Sequence, residues 1–238
     1  MAVYVYAVTL PDHPCRVDGL TGVGGGTAPV RVVSTPELRA VVSDVDEEVR
    51  PKRRDLVAHQ AVQDRLMESG TPLPLQFGYT APGDEAVRQV LGEEAATYRA
   101  VLERVRGCAE YNVKASRDQD ALLREILASS PPARGLNEEI LAGSEDPRLP
   151  LELGRMIADE VELRQSAAAA ELVDALAPLG REYTVHSPTG EDFLNLSLLV
   201  PREDEARLRE AGAGLDRAAD GGVAVRLTGP LPPYSFAA

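Results

Sequence analysis

Between Leu151 and Ala177, the apolar residues Met156, Ile157, Val161, Ala168, Leu172, Val173 and Leu176 recur at helical spacing. Glu160 and Arg164 support the same helix as an i,i+4 pair, and Pro178 ends it because its ring blocks the next turn. A strand pattern follows from Arg181 to His186, then the turn Ser187-Pro188-Thr189-Gly190 and an apolar strand from Phe193 to Val200. A helical pattern from Arg202 to Leu215 and a strand from Gly222 to Leu227 complete the order α-β-β-α-β. This order lacks one leading strand of a ferredoxin-like antiparallel sheet with helices on one face, and Ala109 to Ala115 can supply it.

The N-terminal half alternates more quickly. Ala2 to Val8 is apolar on both faces and reads as a central strand. A Pro/Gly-rich loop from Pro11 to Thr27 leads to two short strands, Val30 to Val33 and Leu38 to Val45, in a hairpin. Asp55 to Ser69 is helical, with Asp55 in or near the first turn, an apolar stripe of Ala58, Ala61, Val62, Leu66 and Met67, and Gly70 at the end. Leu73 to Tyr79 contains Pro74 and reads as an edge strand. Asp84 to Arg106 forms one long helix or two short ones with Gly92 as the weak point, and Asp118 to Ala128 forms another. Ser129 to Pro150, rich in Pro, Gly and Ser, reads as a linker or variable insert interrupted by a short helix around Leu136 to Leu141. The expected organisation is two α+β domains: an N-terminal mixed domain over 1–128, the insert over 129–150, and a ferredoxin-like domain with a Pro-rich tail over 151–238.

With 25 basic and 38 acidic side chains, the net charge of −13 disfavours nucleic acid and anionic membrane surfaces. The basic run Lys52-Arg53-Arg54 is flanked by acids (Asp44, Asp46, Glu47, Glu48 and Asp55) and reads as a solvated, self-compensating stretch. Aromatics make up 4% with no Trp, so Ala, Val and Leu must fill most of the interior. Cys15 and Cys108 form no C-x-x-C, which suits a reduced cytoplasmic protein, with Cys108 as a small buried apolar residue. Neither a signal peptide nor an apolar run of membrane-spanning length is expected.

Candidate chemistry is sparse. The run Gly22-Val23-Gly24-Gly25-Gly26-Thr27 leads through Pro29 into a strand instead of opening a helix, so it reads as a flexible connector and not as a phosphate cradle. Asp55 and His59 share a helix face at i,i+4 but lack a third ligand, so His59 reads as a surface histidine. His186-Ser187 lacks the G-x-S-x-G context of a serine nucleophile. The carboxylates from Asp44 to Glu48 read as a solvated loop. No catalytic, cofactor-binding or metal residue is assigned.

The C-terminal stretch Leu227-Thr228-Gly229-Pro230-Leu231-Pro232-Pro233-Tyr234-Ser235-Phe236 resembles the ending of the L/F-type gas vesicle proteins, Gly-Pro-x-Pro-Pro-Tyr-x-Phe. Tyr4 and Tyr6, His59, Pro74 with Phe77 and Gly78, Glu110 with Lys114, and Asn195 within Phe193 to Pro201 are similar to that family's other landmarks in order. Gln76 and Leu231 depart from the pattern, where Arg and an aromatic are common. The resemblance, nearer the F-like branch, implies two α+β domains, no catalysis and no cofactor. It also implies a gas vesicle location in the cytoplasm and a role in assembly. The implied partners are the small hydrophobic shell protein, held back from aggregation during nucleation, and other accessory proteins.

Without the resemblance, the tail still has physical content. Pro230, Pro232 and Pro233 remove backbone donors, so the segment is expected to leave the preceding strand as a stiff arm carrying Tyr234 and Phe236. It is expected to clasp the body of the protein, with partner docking as the other reading. Glu110 and Lys114 share a strand face and are expected to form ion pairs with neighbours. The Pro74 strand and the long helix from Leu151 are the two surfaces expected to meet an apolar client. A small-ligand enzyme or sensor on a ferredoxin-like scaffold is the rival reading.

Overall fold

The computed structural model describes residues 1–24, 28–46, 49–218 and 222–237. Its contacts divide the chain into two units, one of 1–111, 199–202 and 229–238, the other of 112–198 and 203–228. This division departs from a split at 128 and 151, because the final residues of the chain fold into the first unit.

In the first unit β1 (Ala2–Thr9) is central in a sheet of order β2-β3-β1-β4, with β2 (Arg31–Ser34), β3 (Arg39–Val45) and β4 (Leu73–Pro74). The short β5 (Thr80–Ala81) pairs with β1 as well. Pairing of β1 with β3 is antiparallel and shifts register between Val5 and Ala7. An extra residue in a strand turns its later side chains over. Accordingly Val3, Val5 and Val8 pack on one face with Val87 and Leu91 of α2 (Asp84–Glu93) and Leu102 of α3 (Ala95–Val105). Tyr4, Tyr6 and Ala7 pack on the other with Val62 and Leu66 of α1 (Arg53–Met67). The α2–α3 break falls at Glu94, two residues after Gly92.

Pro74 is buried and pairs with Ala7 in β4 at the end of the sheet order, while Gln76, Gly78 and Tyr79 beyond it are exposed. The expected strand from Leu73 to Tyr79 is interrupted instead. Leu75 N–H donates to the Tyr6 carbonyl and Val5 N–H to the Tyr79 carbonyl, while residues 76–78 leave the ladder.

The second sheet has order β7-β8-β6-β9, from β6 (Cys108–Arg117), β7 (Glu182–His186), β8 (Asp192–Pro201) and β9 (Val223–Leu231). Each β-α-β crossover is split by a strand of the other, which is the ferredoxin-like arrangement. The leading strand is β6, as the sequence pattern suggested. Residues 131–141 form α5, capped by Ser130 with Pro131 and Pro132 in its first turn. Ala133 of α5 packs with Leu122 and Ile126 of α4 (Gln119–Ser129) and with Met156, Ile157 and Val161 of α6 (Arg148–Leu176). The Pro/Gly-rich stretch expected as a linker is thus an ordered part of a helical layer. The last helix, α7, spans Glu205–Ala218.

β9 continues through Pro230, contrary to the expectation that the prolines end the strand. The reason is position: β9 lies at the sheet edge, where a missing donor breaks no ladder bond on its outer side.

Candidate functional site

A buried network of tyrosines and histidine lies on the α1 face of the first sheet. Alternation along β1 points Tyr4 and Tyr6 to that face, and both are fully buried. His59 projects from α1 and is 5% exposed, so it is not the surface histidine its sequence context suggested. The excursion at residues 76–78 carries Phe77 against both Tyr4 and His59, with ring centroids 5.7 Å apart in each case. Tyr6 stacks on His59 at 5.7 Å, and Tyr4 meets Tyr6 at 4.8 Å.

Short hydrogen bonds join these side chains. Gly78, with φ of 99°, donates its N–H to Tyr4 Oη at 3.0 Å. The Tyr4 hydroxyl is then free to donate to His59 Nδ1, also at 3.0 Å. His59 Nε2 pairs with Tyr234 Oη at 3.0 Å, so one ring nitrogen of the neutral imidazole donates and the other accepts. Tyr6 Oη pairs with Ser43 Oγ at 2.8 Å and accepts from Val23 N–H at 2.9 Å. Gln63, one turn after His59, donates to the Tyr6 carbonyl at 2.7 Å.

Burial sets the electrostatics. It lowers His59 to about 4, raises Tyr234 to about 12, pushes Tyr4 well above the usual phenol range and raises Tyr6. Every member of the network is therefore neutral near pH 7.

The tail completes the site from the other end of the sequence. Ser235 donates its N–H at 2.8 Å and its O–H at 2.6 Å to the Glu110 carboxylate, which is 5% exposed. Glu110 is thus engaged by these two donors instead of the expected ion pair. Phe236 is buried against Val105, Cys108 and Leu199, and its carbonyl accepts from Arg104 at 2.7 Å. Pro232 and Pro233 are buried as well. A Cβ at Gly229 would stand 2.5 Å from the Tyr111 ring and 2.9 Å from the Glu110 carbonyl oxygen, so only glycine fits there.

Of the fifteen landmark residues, Tyr4, Tyr6, His59, Pro74, Phe77, Gly78, Glu110, Gly229, Pro230, Pro232, Pro233, Tyr234 and Phe236 belong to the first unit. Lys114 and Asn195 belong to the second and lie apart from the network. Lys114 Nζ is 3.6 Å from Asp192, and Asn195 accepts from Asn112 at 2.8 Å. Ser43, Gln63 and Ser235 were not singled out from sequence. Gln63 was within reach, being four residues after His59 on the same helix.

Other motifs also resolve differently. Asp55 is 3% exposed and accepts from Gly24 N–H at 2.8 Å. A Cβ at Gly22 would stand 2.4 Å from Ser43 Oγ, so the start of the glycine run is packed and not a free connector. Gly25, Gly26, Thr27, Glu47 and Glu48 lie outside the described residues. Asp44 is on β3 and pairs with Arg31 at 2.6 Å, which also reaches Asp84. His186 is 3.1 Å from Ser197 Oγ. Both cysteines are buried, and they form no disulfide with one another. Among the described residues, no helix is long and apolar enough to cross a membrane.

Fold and site together define a class: an α+β protein with two antiparallel sheets whose C-terminal tail is built into the N-terminal unit. A family profile described as gas vesicle synthesis protein GvpL/GvpF matches residues 2–238, and the chain belongs to that family. Gas vesicle protein F of Streptomyces sp. (strain CB03234) is 37% identical, covering 99% of both chains. Gas vesicle protein L2 of Halobacterium salinarum is 31% identical over 98% of this chain and 90% of its own. The fold is that of the crystal structure of the gas vesicle protein GvpF from Anabaena sp. PCC7120, with a TM-score of 0.86 at 24% identity, covering 100% of this chain and 98% of that one. Family membership supports a role in gas vesicle assembly.

Proposed function

We propose that this chain acts in the cytoplasm, without catalysis, as an assembly factor that binds the small hydrophobic shell protein of the gas vesicle. Holding that client limits its aggregation during nucleation, and other accessory proteins share the task. The observation that carries this reading is the family match along residues 2–238. The molecule's physical character supports it: the −13 charge keeps a complex with an apolar client soluble. The neutral network around His59 supports a scaffold over a reaction centre. In this reading the landmark residues of the first unit hold the tail in place.

Of the two client surfaces expected from sequence, the Pro74 strand buries Leu73 and Pro74 and presents Tyr79 as its exposed apolar side chain. The long helix α6 presents Leu151 at 59% and Leu163 at 65% exposure. The test is co-purification of the shell protein with this chain. Leu151→Asp with Leu163→Asp is expected to reduce recovered shell protein several-fold while the circular dichroism spectrum is kept. Removing residues 229–238 is a harsher variant, because it takes away Phe236 and both donors to Glu110. If the unaltered chain retains no shell protein, the reading is wrong.

A further inference from the structure

The first unit contains a pocket of about 170 Å³ beside α2 and α3. Its floor is made by Val5, Val8, Val87 and Leu91, each at most 5% exposed. It reaches the surface at Tyr79, which is 48% exposed, and at Val90, which is 37% exposed. Among the described residues no charged side chain lines it, and its polar side chains are the hydroxyls of Tyr79, Thr80 and Tyr98. Burial raises the Tyr98 phenol, with smaller contributions from Tyr79 and Glu94.

Water needs two to four polar partners to settle in a cavity, and an aliphatic floor supplies none. Apolar cavities of roughly 150 Å³ stay dry and take up benzene or xenon. This pocket is of that size, already formed and open at one end. We infer that the first unit carries a binding site for one uncharged apolar group, an aromatic ring or branched aliphatic chain of about benzene's size. The inference goes beyond the assembly reading and stands without it. A free apolar molecule and a side chain presented on a polypeptide offer the same chemistry.

The full chain is titrated with toluene in one arm and with N-acetyl-phenylalanine amide in the other, following the methyl NMR signals of Val5, Val8, Val87 and Leu91. Saturable shifts at these methyls are expected. Ala86→Leu, which adds a side chain at the pocket wall, should weaken binding by about tenfold or more. Ala61→Leu on the exposed face of α1 should leave it unchanged. Val90→Asp is the second variant: it lies on an exposed helix position and places a charge at the mouth, so it should also weaken binding. Saturation by the amide assigns the site to a presented side chain, and saturation by toluene alone to a free molecule. No saturable shift in either arm, or undiminished binding in both pocket variants, overturns the site.

Discussion

The two units treat polar side chains in opposite ways. In the first, Tyr4, Tyr6, His59, Gln63 and Glu110 are buried, and named partners engage their polar groups apart from the Gln63 side-chain oxygen. In the second, Asn112, Lys114, Asn195 and His186 lie half-exposed on the sheet, where water can replace a lost partner. The long helix there buries only Leu172 and Leu176 among its described side chains. A buried donor or acceptor left without its partner costs about 1–3 kcal/mol, whereas an exposed ion pair contributes about 0–1. Change in the first unit should therefore register strongly, and change in the second weakly.

That contrast can be broken by measurement. Six of the seven tyrosines, at 4, 6, 79, 98, 111 and 234, lie in the first unit and there is no Trp, so tyrosine emission reports mainly on that unit. The largest effect is expected from Phe236→Ala, which empties a buried site: a loss of about 3–5 kcal/mol in urea unfolding followed by that emission. A loss under about 1 kcal/mol would mean that the tail is not part of the core.

The pH response of His59 comes next. Its folded pKa of about 4 lies below the unfolded value of 6.5, so the unfolded chain takes up the proton first as pH falls. Stability from the neutral ring is complete above pH 6.5 and drains away down to about pH 4, by about 3 kcal/mol. His59→Gln removes that titration. The difference in unfolding free energy between parent and variant should therefore change by that amount between pH 7 and 4, and a constant difference contradicts the buried neutral ring.

Gly229→Ala should cost about 1–3 kcal/mol by forcing Tyr111 or the backbone to move. Glu110→Gln keeps one acceptor for Ser235 but loses the charge, for about 1–2 kcal/mol in the same assay. Lys114→Ala is the smallest. Asp192 keeps Arg226, so thermal unfolding by circular dichroism should change by no more than about 1 kcal/mol. An effect of Lys114→Ala as large as that of Glu110→Gln would erase the distinction between the units.

Much of the fold was readable residue by residue. The pattern from Leu151 to Ala177 gave α6, and the order that follows it gave the ferredoxin-like sheet with β6 as its first strand. In the insert the helix expected from Leu136 to Leu141 is present but begins at Pro131 and packs, which Pro and Gly as marks of chain breaks do not reveal. Pro131 starts a helix here instead of preventing one. Pro230 was misread for a related reason: whether a missing donor matters depends on which strand is at the edge. At the site, Tyr4, His59, Glu110 and Tyr234 were all selected, but nothing in their spacing says that His59 lies between Tyr4 and Tyr234. The pairs are 55 and 175 residues apart.

Local chemistry thus determined the elements, the strand order of the second sheet and the family of this protein, because periodicity, turn residues and motif order act over short stretches of chain. Burial, partners and protonation were decided only in three dimensions. A histidine on an amphipathic helix becomes a neutral buried ring only when a strand, a loop and the chain's own C-terminus close over it and remove the water that would have kept its pKa ordinary.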